Sequence, residues 1–348
     1  MKNREPGPDL LRCLGLLLVM TFHSFLYNGY YSQPQEGPAM VLAGSVRWLS
    51  TSCIGIFLLL TGYLKSRETG MKACWRGLGP VVLDYLAASA LSIPVRHFLL
   101  GDVRSFSLWL TRLVGFRGVY YGWYVEMYVG LALLTPFLNR LLQGLTRPRQ
   151  WLGLCCVLLT LTALPGTTPL TLAPAWWRGI YPLTYYVLGA AIRRLEPIIP
   201  PVAGLMGAAA IALGMGTATV LSTGGTLSEA LTWEFADLPV VAMAVCLFLA
   251  LYRLRPGKLL SRILAFGAGG CYGGYLLSHL ADAWCYRWFP QYHVPARYPL
   301  LFLRVTVPIF LLSLPVGKAL RYLTAKLPKP RKKAEHDPPP SELPYPRR

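Results

Sequence analysis

Apolar residues in this chain fall in long blocks, separated by short segments rich in Gly, Pro, Lys and Arg. They do not recur as stripes or alternate. A block near 20 residues matches the hydrocarbon core of a bilayer, where a helix satisfies its own backbone hydrogen bonds. The pattern predicts an all-α, polytopic membrane bundle of about ten transmembrane helices, over residues 9–27, 45–65, 78–99, 122–143, 150–164, 179–194, 200–221, 235–253, 259–285 and 299–324. The fifth and sixth are the least regular. Pro165, Pro169, Pro174 and Pro182 interrupt the pattern around them, and Trp176-Trp177 suits an interface belt. Residues 1–327 form one transmembrane domain. The tail, residues 328–348, is Pro-rich and charged, cannot bury enough apolar surface to fold alone and is expected to be disordered.

Composition supports this picture. Hydrophobic residues make up 54% of the chain and charged residues 14%, well under the roughly 25% of a soluble domain. The net charge of +19 raises the question of a nucleic-acid partner. The Lys and Arg residues instead cluster in short loops and in the tail, so no nucleic acid is expected and membrane lipids are. With the N-terminus inside, most of the 34 Lys and Arg residues fall on cytoplasmic segments, which gives a multi-pass protein of the cell membrane with both termini cytoplasmic. The cluster Lys329-Pro-Arg-Lys-Lys333 suits anionic headgroups. The first apolar run has no small-residue cleavage site after it and is expected to remain as a helix.

One outer segment departs from the charge rule, since Arg96, Arg104, Arg112 and Arg117 lie between the third and fourth helices. The stretch from Ser105 to Phe116 is apolar with scattered Arg. It fits an amphipathic helix in the interface, a solvated loop, or an outer lip that meets an anionic acceptor. The eight cysteines form no CxxC pair, so metal and dithiol chemistry lack their usual spacing and no metal is expected.

An ionisable residue within a membrane helix costs several kcal/mol unless paired or hydrated, so each is a functional candidate. Arg12 and His23 are eleven residues apart on the first helix. That is about 20° beyond three full turns, so both project from one face, about 16 Å apart along the axis. An Arg suits the phosphates of an acyl-CoA donor, and a His at depth suits a general base toward a hydroxyl. A snorkelling Arg and a His bonded to a backbone carbonyl are the plainer alternatives. Glu126 sits near the start of the fourth helix, either to position an acceptor hydroxyl or as a solvated interfacial group. His279 and Asp282, three apart on the ninth helix, share a face; they suit an acid–base pair or interhelical hydrogen bonds. Asp84, on the third helix, is expected to form a salt bridge to another helix. The run Gly267-Ala-Gly-Gly-Cys-Tyr-Gly-Gly274 lacks a Walker Lys and is expected to serve close helix packing.

Several segments, in order along the chain, resemble the acyltransferase 3 family of bacterial membrane acyltransferases. Arg12 and His23 match that family's Arg, ten residues, His on the first helix. Phe57-Leu-Leu-Leu-Thr-Gly-Tyr-Leu64 is similar to the end of its second helix. Lys72-Ala-Cys-Trp-Arg76-Gly-Leu-Gly-Pro80 is similar to its basic stretch before Arg-x-x-x-Pro, with Lys72 where Arg is often found. Trp123-Tyr-Val-Glu-Met-Tyr128 and Leu134-Thr-Pro-Phe-Leu-Asn139 resemble the start and finish of its fourth helix. Cys271-Tyr-Gly-Gly-Tyr-Leu-Leu-Ser-His279 resembles a late signature, with Cys in place of Ser.

The resemblance implies O-acylation, usually O-acetylation, of a cell-envelope glycan or lipid-linked acceptor. Acetyl-CoA or another acyl-CoA would serve as cytoplasmic co-substrate, with no bound cofactor. It implies a catalytic role for His23, a donor-binding or orienting role for Arg12, and CoA-phosphate contacts for Lys72 and Arg76, which positive-inside topology explains equally well. A transporter or flippase of an envelope precursor fits a polyhelical bundle too. Against it stand the lack of an internal repeat and the gathering of ionisable residues on the first, third, fourth and ninth helices.

Overall fold

The computed structural model describes residues 5–75, 77–167, 173–223, 234–290 and 294–326. The expected tail and Arg76 lie outside them. The described residues form a multi-pass helical bundle: α1 Pro6–Tyr27, α2 Gly37–Thr51, α3 Cys53–Lys65, α4 Met71–Trp75, α5 Leu78–Phe98, α6 Phe106–Val114, α7 Trp123–Gln143 and α8 Pro148–Thr162. These are followed by α9 Leu164–Thr167, α10 Tyr181–Leu195, α11 Pro201–Thr223, α12 Leu238–Leu251, α13 Lys258–Cys285, α14 Tyr298–Leu301 and α15 Val307–Lys326. Helices occupy all ten expected stretches. Six spans are long and apolar enough to cross a bilayer: Pro6–Tyr27, Gly37–Lys65, Leu78–Phe98, Trp123–Gln143, Pro201–Ser222 and Pro295–Lys326.

The second expected helix starts earlier than residue 45 and is broken. Its span begins at Gly37, and α2 passes into α3 at Ser52. The cause is a run of buried hydroxyls. Ser50 Oγ and Thr51 Oγ1 donate to the Arg47 carbonyl at 2.6 and 3.1 Å, and Ser52 Oγ donates to the Leu49 carbonyl at 2.7 Å. Hydroxyls that return to the preceding turn compete with the helix ladder and bend it. The fifth and sixth expected helices are only 15 residues each, as their prolines foreshadow.

α1 starts with Pro6 in its first turn, where a missing N–H costs nothing. It stops at Asn28, whose N–H donates to the Ser24 carbonyl, and Gly29 turns the chain at φ +73°. α1 packs against α13 and α3, and α13 packs most extensively on α15. That last contact depends on small residues. A Cβ on Gly270 would collide with the Leu314 carbonyl, and one on Gly317 with the Gly270 carbonyl. The glycine-rich run is therefore a packing face, and it brings the two helix backbones close enough for dispersion contacts to hold them.

Candidate active site

Site geometry is built on α1, because its Arg12, Val19 and His23 follow one face at intervals of seven and four residues. A cavity of about 430 Å³ opens beside this face. Three cations line it: Arg12, Lys65 at the end of α3, and Arg321 on α15. Its far end reaches Val19, Tyr124 and Tyr275. His23 does not line the cavity. It lies one helical turn beyond Val19.

The cations are held in place. Arg12 Nη1 bonds Asp9 Oδ1 at 2.6 Å, within the same helix. Lys65 Nζ meets Glu68 Oε2 at 3.1 Å. Arg321 Nη1 bonds Asp84 Oδ2 at 2.5 Å, and Thr324 Oγ1 bonds the other oxygen of that carboxylate. Asp84 thus makes the interhelical salt bridge expected of it. Each guanidinium has five N–H donors, so one carboxylate leaves most of them for the cavity. Lys72 is exposed on α4 and does not line this cavity.

A second constellation surrounds His23, which is 8% exposed. Asp282 on α13 is fully buried, and its Oδ2 lies 3.5 Å from His23 Nδ1. The same oxygen accepts the Tyr121 hydroxyl at 3.0 Å. The Tyr121 ring stacks on the His23 imidazole, with centroids 3.7 Å apart and planes at 22°. Tyr121 is fixed in turn by Tyr275, whose hydroxyl donates to the Tyr121 carbonyl at 2.5 Å. The Tyr27 hydroxyl stands 3.3 Å from that of Tyr121 and 3.1 Å from His279 Nδ1. His23 Nδ1 and Asp282 Oδ1 have no hydrogen bond among the described residues. At 3.5 Å the His23–Asp282 contact is an ion-pair distance without a hydrogen bond.

His279 and Asp282 share a face as expected, yet each bonds across to another element, and no bond joins the two. Asp282 faces His23 and accepts the Tyr121 hydroxyl. Glu126 is exposed, and its side chain makes no hydrogen bond or ion pair among the described residues. Several residues were not singled out by sequence: Tyr121 and Tyr27, which carry no charge; Lys65 and Arg321, which read as helix-end cations; and Arg47. Arg47 is 1% exposed on α2, donates from Nε to the Tyr31 hydroxyl at 3.2 Å and lies 4.8 Å from the Trp48 ring. An Arg in the middle of an apolar run is a signal for it.

Around the other end of α5, the expected amphipathic segment is a helix. α6 is capped by Ser105, which accepts the Leu108 N–H, and buries Trp109. Arg96 and Arg104 both pair with Asp102, at 2.6 Å each, so Arg104 belongs to an ion triad. The Arg96 guanidinium lies 5.0 Å from the Trp109 ring, tying α5 to α6.

The sequence profile of the acyltransferase 3 family, an acyltransferase domain, matches residues 5–318. No curated protein and no solved structure matches the chain.

Proposed function

The chain belongs to the acyltransferase 3 family of membrane acyltransferases, and we propose that it moves an acetyl or related acyl group from cytoplasmic acyl-CoA to a hydroxyl of a cell-envelope glycan or lipid-linked acceptor. The observation that carries this reading is the cavity. It runs from three cations to a point one turn short of a buried histidine that faces a carboxylate.

In this reading the Arg12 end of the bundle faces the cytoplasm, together with both termini, as the distribution of Lys and Arg supports. Arg12, Lys65 and Arg321 receive the phosphates of CoA, to which guanidinium and ammonium groups are suited. Lys72 assists from outside the cavity, and Arg76 is assigned to the same phosphates from the sequence alone. The pantetheine arm enters the apolar part, and its thioester comes to rest beneath Val19 and Tyr275. A volume of about 430 Å³ lies in the range of small-molecule pockets and is filled by such an arm with its acyl group.

His23 is the general base. Asp282 holds a proton on Nδ1 and steadies the imidazolium that forms, leaving Nε2 to take the acceptor's hydroxyl proton. The hydroxyl oxygen attacks the thioester carbonyl, the C–S bond breaks, and the proton on His23 passes to the departing thiolate. No net proton is gained or lost. Tyr121 keeps both His23 and Asp282 in register through its ring and its hydroxyl.

The test is transfer of label from labelled acetyl-CoA to crude envelope glycans by the purified protein and by His23→Ala. Label transfer by the wild type and not by the variant supports the reading. Equal transfer by both removes His23 from the chemistry. A labelled acyl-histidine trapped on His23 replaces direct attack with a two-step route.

A further inference from the structure

The hydrogen-bond chain from Asp282 to His279 has only one consistent direction. Asp282, as a carboxylate, can only accept. Tyr121 spends its single O–H on Asp282 Oδ2 at 3.0 Å. At its contact with Tyr27, 3.3 Å away, Tyr121 must therefore accept and Tyr27 must donate. Tyr27 has then spent its own proton, so at 3.1 Å from His279 Nδ1 its oxygen accepts. Nδ1 of His279 carries the hydrogen, and Nε2 is left with a lone pair.

One buried carboxylate thereby sets the tautomer of His279 through two phenols, while its Oδ2 also stands 3.5 Å from His23 Nδ1. Nothing among the described residues forms a hydrogen bond to Nε2 of His279. The ring is half-buried beneath Tyr120, which is 60% exposed and stacks on it with centroids 4.3 Å apart. His279 therefore stands between the buried His23 cluster and an open aromatic surface.

We propose that His279 is a second acceptor-binding residue, whose Nε2 receives a hydrogen bond from another hydroxyl of the molecule being acylated. The acceptor class this selects is a polyol such as a sugar unit, with one hydroxyl on His23 and a further one on His279. The substrate part of the proposal rests on the acyl-transfer reading above; the tautomer does not.

Two measurements test it on the full chain in lipid. The first is solid-state NMR of protein labelled with ¹⁵N-histidine, with the His279 signals assigned by their loss in His279→Gln. The expected spectrum shows Nδ1 protonated and Nε2 bare, and Tyr27→Phe moves His279 toward the Nε2–H form. An Nε2–H signal in the wild type, or no response to Tyr27→Phe, overturns the proposal. The second compares His279→Gln with His279→Asn. Gln places an amide oxygen where Nε2 stood and keeps an acceptor for the substrate. Asn keeps only a donor toward Tyr27. The expected result is a loss of acceptor kcat/KM at least about ten-fold greater for Asn than for Gln, with the acetyl-CoA KM unmoved. Equal losses, or a greater loss for Gln, make His279 a structural brace and overturn the proposal. If the spectrum is as expected while the wild type transfers no acyl group, the acyl-transfer reading fails and the tautomer assignment stands.

Discussion

Asp282 Oδ2 lies 3.5 Å from His23 Nδ1, although 259 positions separate the two in the chain, from 23 to 282. α13 packs directly on α1 and brings the carboxylate to the face that also carries Arg12. Both groups are buried, so their interaction is little screened by water or salt. In the proposed reaction this pairing of a His with a buried acid is what gives the imidazole its role as a base.

Asp282→Asn tests the pairing with almost no change in shape. Asn presents a neutral amide, cannot stabilise an imidazolium, and leaves Tyr121 a weaker acceptor. The expected result is a fall in kcat of about 10²-fold or more with donor KM unchanged, in line with the size of general-base and orienting effects elsewhere. Protein level and detergent-extracted thermal stability are measured alongside. A kcat within a factor of about two of wild type removes Asp282 from the mechanism.

The cavity cations make a separate prediction on the donor side. Lys65→Gln and Arg12→Gln each remove a charge from the cavity wall and are expected to raise the acetyl-CoA KM by about ten-fold, with a smaller change in kcat. The same variants assayed with a truncated donor that lacks the nucleotide phosphates should match wild type more closely. An unchanged donor KM in both variants moves the phosphate site away from the cavity, toward Lys72.

Arg321 has a structural partner as well. Asp84 is 3% exposed on its side chain and holds Arg321 and Thr324, joining α5 to α15. Removing Arg321 leaves a buried carboxylate with only a hydroxyl. Arg321 itself is 47% exposed, so the loss is expected at about 1–3 kcal/mol, below that of a fully buried pair. In a double-mutant cycle of Arg321→Gln and Asp84→Asn, the double variant should be less damaged than the two single losses added together. Simple additivity denies the pair its coupling.

The bundle was largely legible in the sequence because bilayer thickness acts on a run of residues and leaves a pattern in every span. Ten blocks, the Arg12 and His23 alignment and the small-residue face of α13 all follow from spacing along one helix. The break at Ser52 was not read, since hydroxyls that bond back to their own helix look like ordinary polar residues until their depth is known. Asp282 was placed with His279 because i, i+3 neighbours are visible in one helix, while contacts between helices distant in the chain leave no mark in a single sequence. Tyr121 was missed for a related reason. An uncharged aromatic residue costs little in a membrane, so nothing in its type announces a role.

The ion triad at the end of α5 carries a prediction in pH. Asp102 lies in the loop after α5 and is drawn two ways. Partial burial raises its pKa, but the hydrogen bond and charge of Arg96, joined by Arg104, outweigh it and hold the carboxyl below its ordinary value. A depressed folded-state pKa means that the carboxylate contributes stability above the unfolded pKa, about 3.9, and loses it as pH falls through the lower folded value. Compared with Asp102→Asn, the wild type should therefore show a constant thermal-stability advantage from pH 7 down to about 4. The advantage should shrink only below that, as Asp102 takes up its proton. Arg104→Gln should lessen the advantage without abolishing it, since Arg96 still bonds Asp102 at 2.6 Å. An advantage that persists to the lowest pH at which the protein stays folded would assign the effect to packing instead of charge.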